Sequence, residues 1–338
     1  MRVLSVVGNR PQFIKSAPLS VALRDAGIDE IVLHTGQHWD PGMSQVFFDQ
    51  LEIAPPKYSL DLRTSDPEPM AAPIADAVAA ESPDWVLVYG DTNSTLAGAL
   101  AAGDVPVAHV EAGLRSFDLS MPEEHNRIAV DRISALLLCP DERSAAQLAY
   151  EGVAGTRVVV GDVMADATRL FAPLAPEAAF EQPYVALTIH RAQNTEPERL
   201  RAIAAALAEA DARFVFPVHP RTRRVLDDHA IALPDNVEAI DPLGYLAMLS
   251  LVANADKVVT DSGGLQKEAY WLRRPCVTVR PSTEWVDTVE SGANRLTEPD
   301  GIPAALASAS FPADPPVLYG DGHASRKITD ALYAWTPT

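Results

Sequence analysis

Lys257-Val258-Val259-Thr260-Asp261-Ser262-Gly263-Gly264-Leu265-Gln266-Lys267-Glu268 is the stretch whose reading decides the fold. Lys257 to Thr260 reads as a short buried strand, and the chain leaves it through Asp-Ser-Gly-Gly into a helix expected to begin near Leu265. A strand that opens through Ser262, Gly263 and Gly264 into a helix aims free backbone N–H groups and the positive end of the helix dipole at a crevice, which is a site for phosphate. Glu268 falls one helical turn inside. A carboxylate there repels phosphate, yet it is placed to accept two hydrogen bonds from the hydroxyls of a ribose attached to that phosphate. The segment therefore reads as a nucleoside diphosphate site. A Gly-rich turn with an N-terminal cap would account for the same residues taken alone.

Outward from this stretch the pattern is strand, turn, helix, repeated. Apolar runs at Val3 to Val7, Glu30 to Leu33, Trp85 to Val88, Val107 to Val110, Leu136 to Cys139 and Arg157 to Val160 alternate with helical segments. Ala172 to Pro183, rich in Pro and Ala, breaks the rhythm and reads as a linker. The alternation restarts at Tyr184 to Ile189, Phe214 to Val218, Val237 to Ile240, Lys257 to Thr260 and Cys276 to Val279. This is the signature of α/β structure with parallel sheets covered on both faces. The expected organisation is a Rossmann-like domain over residues 1–171 and a second over 172–322, with ligand in a cleft between them at the strand carboxyl ends. The helical stretch 323–338 is free to pack back on the first domain.

Composition narrows the function classes. The chain has 338 residues, 47% hydrophobic and 22% charged, as in a globular protein large enough for two domains. A formal charge of −19 argues against nucleic acid as a partner. Apolar runs are too short for a membrane span. Met1 to Val7 reads as a first strand rather than a leader, and Cys139 and Cys276 as core thiols of a reducing compartment, so the cytoplasm is the expected location. No Gly-x-Gly-x-x-Gly follows the first strand, which disfavours a nicotinamide oxidoreductase.

In place of that fingerprint stands Gly8-Asn9-Arg10-Pro11-Gln12-Phe13-Ile14-Lys15, where Arg10 and Lys15 set two cations at a strand end as contacts for a diphosphate. Asp91 in Gly90 to Thr95 and Glu111 in His109 to Arg115 fall at the carboxyl ends of successive strands. Glu123 opens a helix nearby in Pro122-Glu123-Glu124-His125-Asn126-Arg127. Three carboxylates converging on one cleft would raise one another's pKa and form an acid/base set for proton transfer. Singly, Asp91 also suits an N-cap, Glu111 a partner of Arg115 or Arg127, and Glu123 a capping box. In the second half His190-Arg191 and His219-Pro220-Arg221 end strands, where a histidine can protonate and an arginine hold a leaving phosphate. The histidines and carboxylates lack zinc or magnesium spacing, so no metal is expected.

Taken in order, Gly8 to Lys15, Thr35-Gly36-Gln37-His38, Gly90 to Thr95, His109 to Arg115, Pro122 to Arg127, His190-Arg191, Thr260 to Glu268 and Thr283-Glu284 resemble the non-hydrolysing UDP-N-acetylglucosamine 2-epimerase family. The resemblance covers nearly the whole chain. It implies the GT-B fold, usually as a homodimer, a UDP-sugar substrate and no cofactor or metal. It further implies elimination of UDP from C1 with removal of the C2 proton, giving a 2-acetamidoglucal that is reprotonated on the other face before UDP returns. Asp91, Glu111 and Glu123 would serve C2, and His190 and Arg10 the departing diphosphate. Ser262, Gly263 and Gly264 would bind that diphosphate and Glu268 the ribose, with Lys15, Gln37, His38, Arg127, Arg191 and His219 lining the substrate. Two departures stand out. His190-Arg191-Ala192-Gln193-Asn194 has an amide where the family commonly has Glu. Trp39-Asp40 after Gln37-His38 differs from the branch with an activating UDP-GlcNAc site. Gln12-Phe13, Arg115-Ser116-Phe117 and Glu284-Trp285-Val286 also resemble epimerases of UDP-2,3-diacetamido-2,3-dideoxyglucuronate. A hydrolysing epimerase and a GT-B glycosyltransferase are the competing functions.

Overall fold

A computed structural model describes residues 1–37, 55–64, 66–177 and 179–336. It divides the chain into two compact units, Met1–Leu170 with Tyr319–Thr338, and Phe171–Leu318. The first unit is built on β1 (Arg2–Val7), β2 (Asp29–His34), β3 (Tyr58–Ser59), β4 (Trp85–Tyr89), β5 (Val107–Val110), β6 (Leu136–Cys139) and β7 (Thr156–Val159). They lie in the order β3-β2-β1-β4-β5-β6-β7, every pair parallel. Central β4 and β6 are buried along their whole length because helices cover both faces, which is why they read as unbroken apolar runs.

The second unit repeats the plan with β8 (Val185–Thr188), β9 (Phe214–Pro217), β10 (Val237–Ile240), β11 (Lys257–Thr260), β12 (Cys276–Val279) and β13 (Asn294–Thr297), in the parallel order β10-β9-β8-β11-β12-β13. In each unit the strand order reverses once, between β1 and β4 and between β8 and β11. Diverging connections leave room at the carboxyl ends there, the general address for ligands in open α/β sheets. Asn9 and Asp91 flank the first switch point; His190 and Ser262 flank the second.

Helix starts at these addresses are specified locally. The Asn9 side chain accepts the Gln12 N–H, with Pro11 in the first turn. Thr92 and Thr95 form a reciprocal capping box at the helix Asn93–Ala101. Ser262 caps the helix Gly263–Trp271 by accepting the Leu265 N–H, so that helix begins two residues before the expected Leu265. Two strands escape the sequence pattern. β3 has only two residues, and β13 opens on Asn294, whose buried amide is satisfied by Gln266 and Thr288.

The chain returns to the first unit at Tyr319, against residue 323 expected from the sequence. Asp162 donates its N–H to Tyr319 O at 2.8 Å, and Asp166 accepts the N–H groups of Ala324 and Ser325 at 2.9 and 2.7 Å, capping the helix Ala324–Ala334. Trp335 then packs edge-on against Trp85, centroids 4.8 Å apart, and Tyr333 donates to Ala26 O.

Candidate active site

At the first switch point Gly90 turns the chain out of β4 with φ +65°, and a Cβ there would lie 3.1 Å from Lys15 Nζ and 3.3 Å from Glu111 Oε2. A side chain there would press on that ion pair, and the positive φ itself favours glycine. Lys15 pairs with Glu111, and Arg127 pairs with Asp91 and, at 3.1 Å, with Glu124. Burial would lower the pKa of Arg127, but the charges of Asp91, Glu124 and Glu111 outweigh it and raise it above the ordinary guanidinium value. The expected set of mutually repelling carboxylates is therefore corrected in one respect. Two of the three sit against cations, brought together because β1, β4 and β5 are neighbours in the sheet.

Glu123 is exposed on the first turn of the helix Pro122–Ile133, whereas Glu124 beside it is 1% exposed. Glu124 accepts the N–H groups of Ser116 and Phe117 at 3.0 and 3.1 Å, tying the loop after Glu111 to this helix. The sequence reading passed over Glu124; its spacing of three from Arg127 on one helix face was the available signal. Arg115 meets neither Glu111 nor Glu123 but forks onto Glu151 and reaches Asp131. Gln37 accepts from Ser94 N and Oγ at 3.2 and 2.7 Å. Arg10 is half-buried at the start of the first helix. His38 lies outside the described residues.

At the second switch point Asp261 is fully buried. Its carboxylate accepts the backbone N–H groups of His190 and Arg191 and the Asn194 amide, at 2.9 to 3.1 Å, and lies 3.4 Å from His190 Nδ1. This acid, which the sequence pattern alone does not assign to the site, shapes the His190-Arg191 turn. His219 caps the helix Pro220–Asp228 through Nδ1, which accepts the Arg221 N–H, and its ring lies 5.6 Å from that of His190. Arg191 approaches Glu284 at 3.7 Å, and Arg280 pairs with it at 2.9 Å. Burial would raise the Glu284 pKa; the two arginines overcome that and lower it.

The glycines differ. A Cβ on Gly263 would fall 2.7 Å from Glu284 Oε1, while one on Gly264 would meet nothing within 4 Å. An alanine at 263 would press on the Glu284 carboxylate, whereas one at 264 would find open space. As the first helical residues their N–H groups have no partner in the preceding turn. Glu268 is 7% exposed on the same helix. Among the described residues no group of three or more His, Cys, Asp or Glu could hold a metal ion, and no helix is long and apolar enough to cross a membrane.

Two Rossmann-like units carrying their polar clusters at the switch points define a GT-B-type α/β enzyme. The family profile described as UDP-N-acetylglucosamine 2-epimerase matches residues 21–333. A Pseudomonas aeruginosa protein named UDP-2,3-diacetamido-2,3-dideoxy-D-glucuronate 2-epimerase is 45% identical over 98% of this chain and 99% of its own. A Methanocaldococcus jannaschii UDP-N-acetylglucosamine 2-epimerase is 39% identical over 88% of each. The crystal structure of M. jannaschii UDP-GlcNAc 2-epimerase in complex with UDP-GlcNAc and UDP superposes with a TM-score of 0.91 at 35% identity, covering 98% of this chain and 99% of that one. The chain belongs to the UDP-N-acetylglucosamine 2-epimerase family, a family of isomerases.

Proposed function

We propose that this protein interconverts UDP-N-acetylglucosamine and UDP-N-acetylmannosamine by elimination and readdition of UDP. The observation that carries the reading is the pair Asp91 and Glu111, held at the carboxyl ends of adjacent strands with Arg127 and Lys15 against them. The C2 proton of the sugar has no adjacent carbonyl to stabilise a carbanion, so simple removal is unfavourable. Breaking the C1–O bond as the proton leaves forms C1=C2, and the electron pair of the broken C1–O bond departs with UDP. A carboxylate takes the proton. Return of a proton to the other face of C2 and of UDP to C1 completes epimerisation. Two faces require two acid/base groups, which Asp91, Glu111 and Glu123 supply. The steps are redox-neutral and ask for no nicotinamide or metal.

For the nucleotide, the free N–H groups of Gly263 and Gly264, the Ser262 cap and the open space beside Gly264 suit a phosphate, and Glu268 suits a ribose. His190, Arg191, Arg10 and His219 assist the departing diphosphate. A glycosyltransferase would use a similar nucleotide site but has no need of acids at C2. Incubation with UDP-GlcNAc in D2O is the test: the expected result is deuterium at C2 and formation of UDP-ManNAc, with trace UDP and 2-acetamidoglucal. Turnover without solvent exchange would sink the mechanism.

A second reading, the 2-epimerisation of UDP-2,3-diacetamido-2,3-dideoxyglucuronate, is favoured by the 45% identical Pseudomonas relative of that name. Direct competition decides between them, since discrimination lies in the ratio of kcat/KM values. A homodimer in the cytoplasm with no nucleic-acid partner completes the proposal, the last because of the −19 charge.

A further inference from the structure

His109, the third residue of β5, is fully buried beneath the first switch point. Its Nδ1 lies 2.7 Å from Asp131 Oδ1 and its Nε2 lies 2.7 Å from Gly90 O. A neutral imidazole carries one N–H and one lone pair, so either neutral tautomer would turn a lone pair on an acceptor at hydrogen-bond distance. With Asp131 ionised, its pKa being lowered in the fold, only the doubly protonated ring satisfies both contacts. The surroundings supply the charge balance: Asp131 also accepts from Arg115 at 2.7 Å, and Arg115 forks onto Glu151. With His109 cationic, two positive and two negative groups alternate; with His109 neutral, this largely buried chain would carry a net negative charge. Burial would raise the Asp131 pKa, but its contacts with His109 and Arg115 outweigh this and lower it.

The two ends of this pair hold the backbone on either side of the acids. Gly90 donates its N–H to Val110 O at 3.0 Å and gives its carbonyl to His109, which pins the peptide leading into Asp91. Asn126 holds the next carbonyl, that of Asp91 itself. At the other end Asp131 Oδ2 accepts the Gly113 N–H at 3.3 Å, two residues beyond Glu111. Glu111 has φ +72°, a left-handed conformation that is unfavourable for a non-glycine residue and persists only where its surroundings impose it. Its N–H and that of Ala112 both donate to Leu138 O. We infer that His109 is a positioning residue, a buried imidazolium whose contacts with Gly90 and Asp131 hold Asp91 and Glu111 in one fixed relation. The inference rests on the reading that these acids work at C2 of the sugar.

The test combines a spectroscopic and a kinetic readout. In wild-type protein labelled with ¹⁵N-histidine, His109 should show both ring nitrogens protonated at neutral pH; a single neutral tautomer would overturn the inference. His109→Gln keeps an N–H donor but loses the charge, and Asp131→Asn removes the counter-charge. Each should lower kcat by about 10²-fold, the scale for misplacing reacting groups by about 1 Å, with KM and UDP affinity within about twofold. Wild-type kcat in either folded variant, or loss of UDP affinity in parallel with kcat, would refute positioning. If His109→Gln does not fold, Asp131→Asn and the labelled wild type still decide. Asp91→Asn and Glu111→Gln serve as controls: if they keep wild-type turnover, the acid assignment fails, while the protonation of His109 is read independently of it.

Discussion

The two switch points share one strand order yet are built from different materials. At the first, charge does the holding: Lys15 meets Glu111, Arg127 meets Asp91 and Glu124, and His109 with Asp131 lies beneath. At the second, backbone N–H groups predominate. Asp261 is engaged by the peptides of His190 and Arg191, and Ser262 caps the start of the helix Gly263–Trp271. Topology thus supplies the same address twice while side chains decide what stands there, ion pairs around Asp91 and Glu111 in one unit and backbone donors around Asp261 in the other.

The largest effects should separate these two roles. Asp91→Asn, Glu111→Gln and Glu123→Gln are each expected to lower turnover by roughly 10²-fold or more, the usual scale of general acid/base catalysis, while UDP affinity measured by calorimetry barely changes. A variant that folds and turns over normally would remove its residue from proton transfer. In the second unit the pattern should invert. Glu268→Ala should weaken UDP binding by about 1–3 kcal/mol, as for loss of hydrogen bonds to a charged group. Unchanged affinity would refute its ribose contact.

A finer cut comes from the paired glycines. Gly264→Ala adds a methyl to open space, so thermal stability should stay at the wild-type value while UDP affinity drops, by about 1 kcal/mol if one hydrogen bond is lost. Gly263→Ala brings a Cβ to 2.7 Å from Glu284 Oε1, so that carboxylate must shift, and its stability should fall below that of Gly264→Ala even without ligand. Equal behaviour of the two in thermal unfolding would erase the distinction.

Acid should expose what the two regions share. Asp131 in the first unit and Glu284 in the second both have lowered pKa values in the fold, against a burial penalty that opposes the shift. Each therefore contributes stability that is complete above its unfolded value, about 3.9 for Asp and 4.3 for Glu, and is lost as pH falls through the folded value. Unfolding midpoints should decline below about pH 4, and Asp131→Asn should flatten that decline. The smallest expected signal is from the thiols. Burial pushes Cys139 and Cys276 up to about 12, so a chromogenic thiol reagent at neutral pH should report no reaction until the protein is denatured.

Much of the architecture was legible because strand and helix signals are local. Lys257 to Thr260 and Cys276 to Val279 have the boundaries read from their apolar runs. β13 was not legible, since Asn294 opens a strand only because Gln266 and Thr288 answer its amide. Glu124 was overlooked beside Glu123 for a similar reason. Both carboxylates stand at a helix start in the sequence, and only the fold turns one inward onto Ser116 and Phe117 and leaves the other exposed.

By itself the sequence determined the alternation of strands and helices and the family to which the motifs belong. These are set by residues within a few positions of one another, whose backbone preferences and hydrogen bonds need no distant partner. The tertiary structure alone decided that Lys15 would meet Glu111 across 96 positions and that Arg127 would face Asp91 across 36. It also decided that His109 would be shared between Asp131 and Gly90. Those partners are chosen by the order of strands in the sheet, which brings together the ends of β1, β4 and β5, and no local spacing encodes that order.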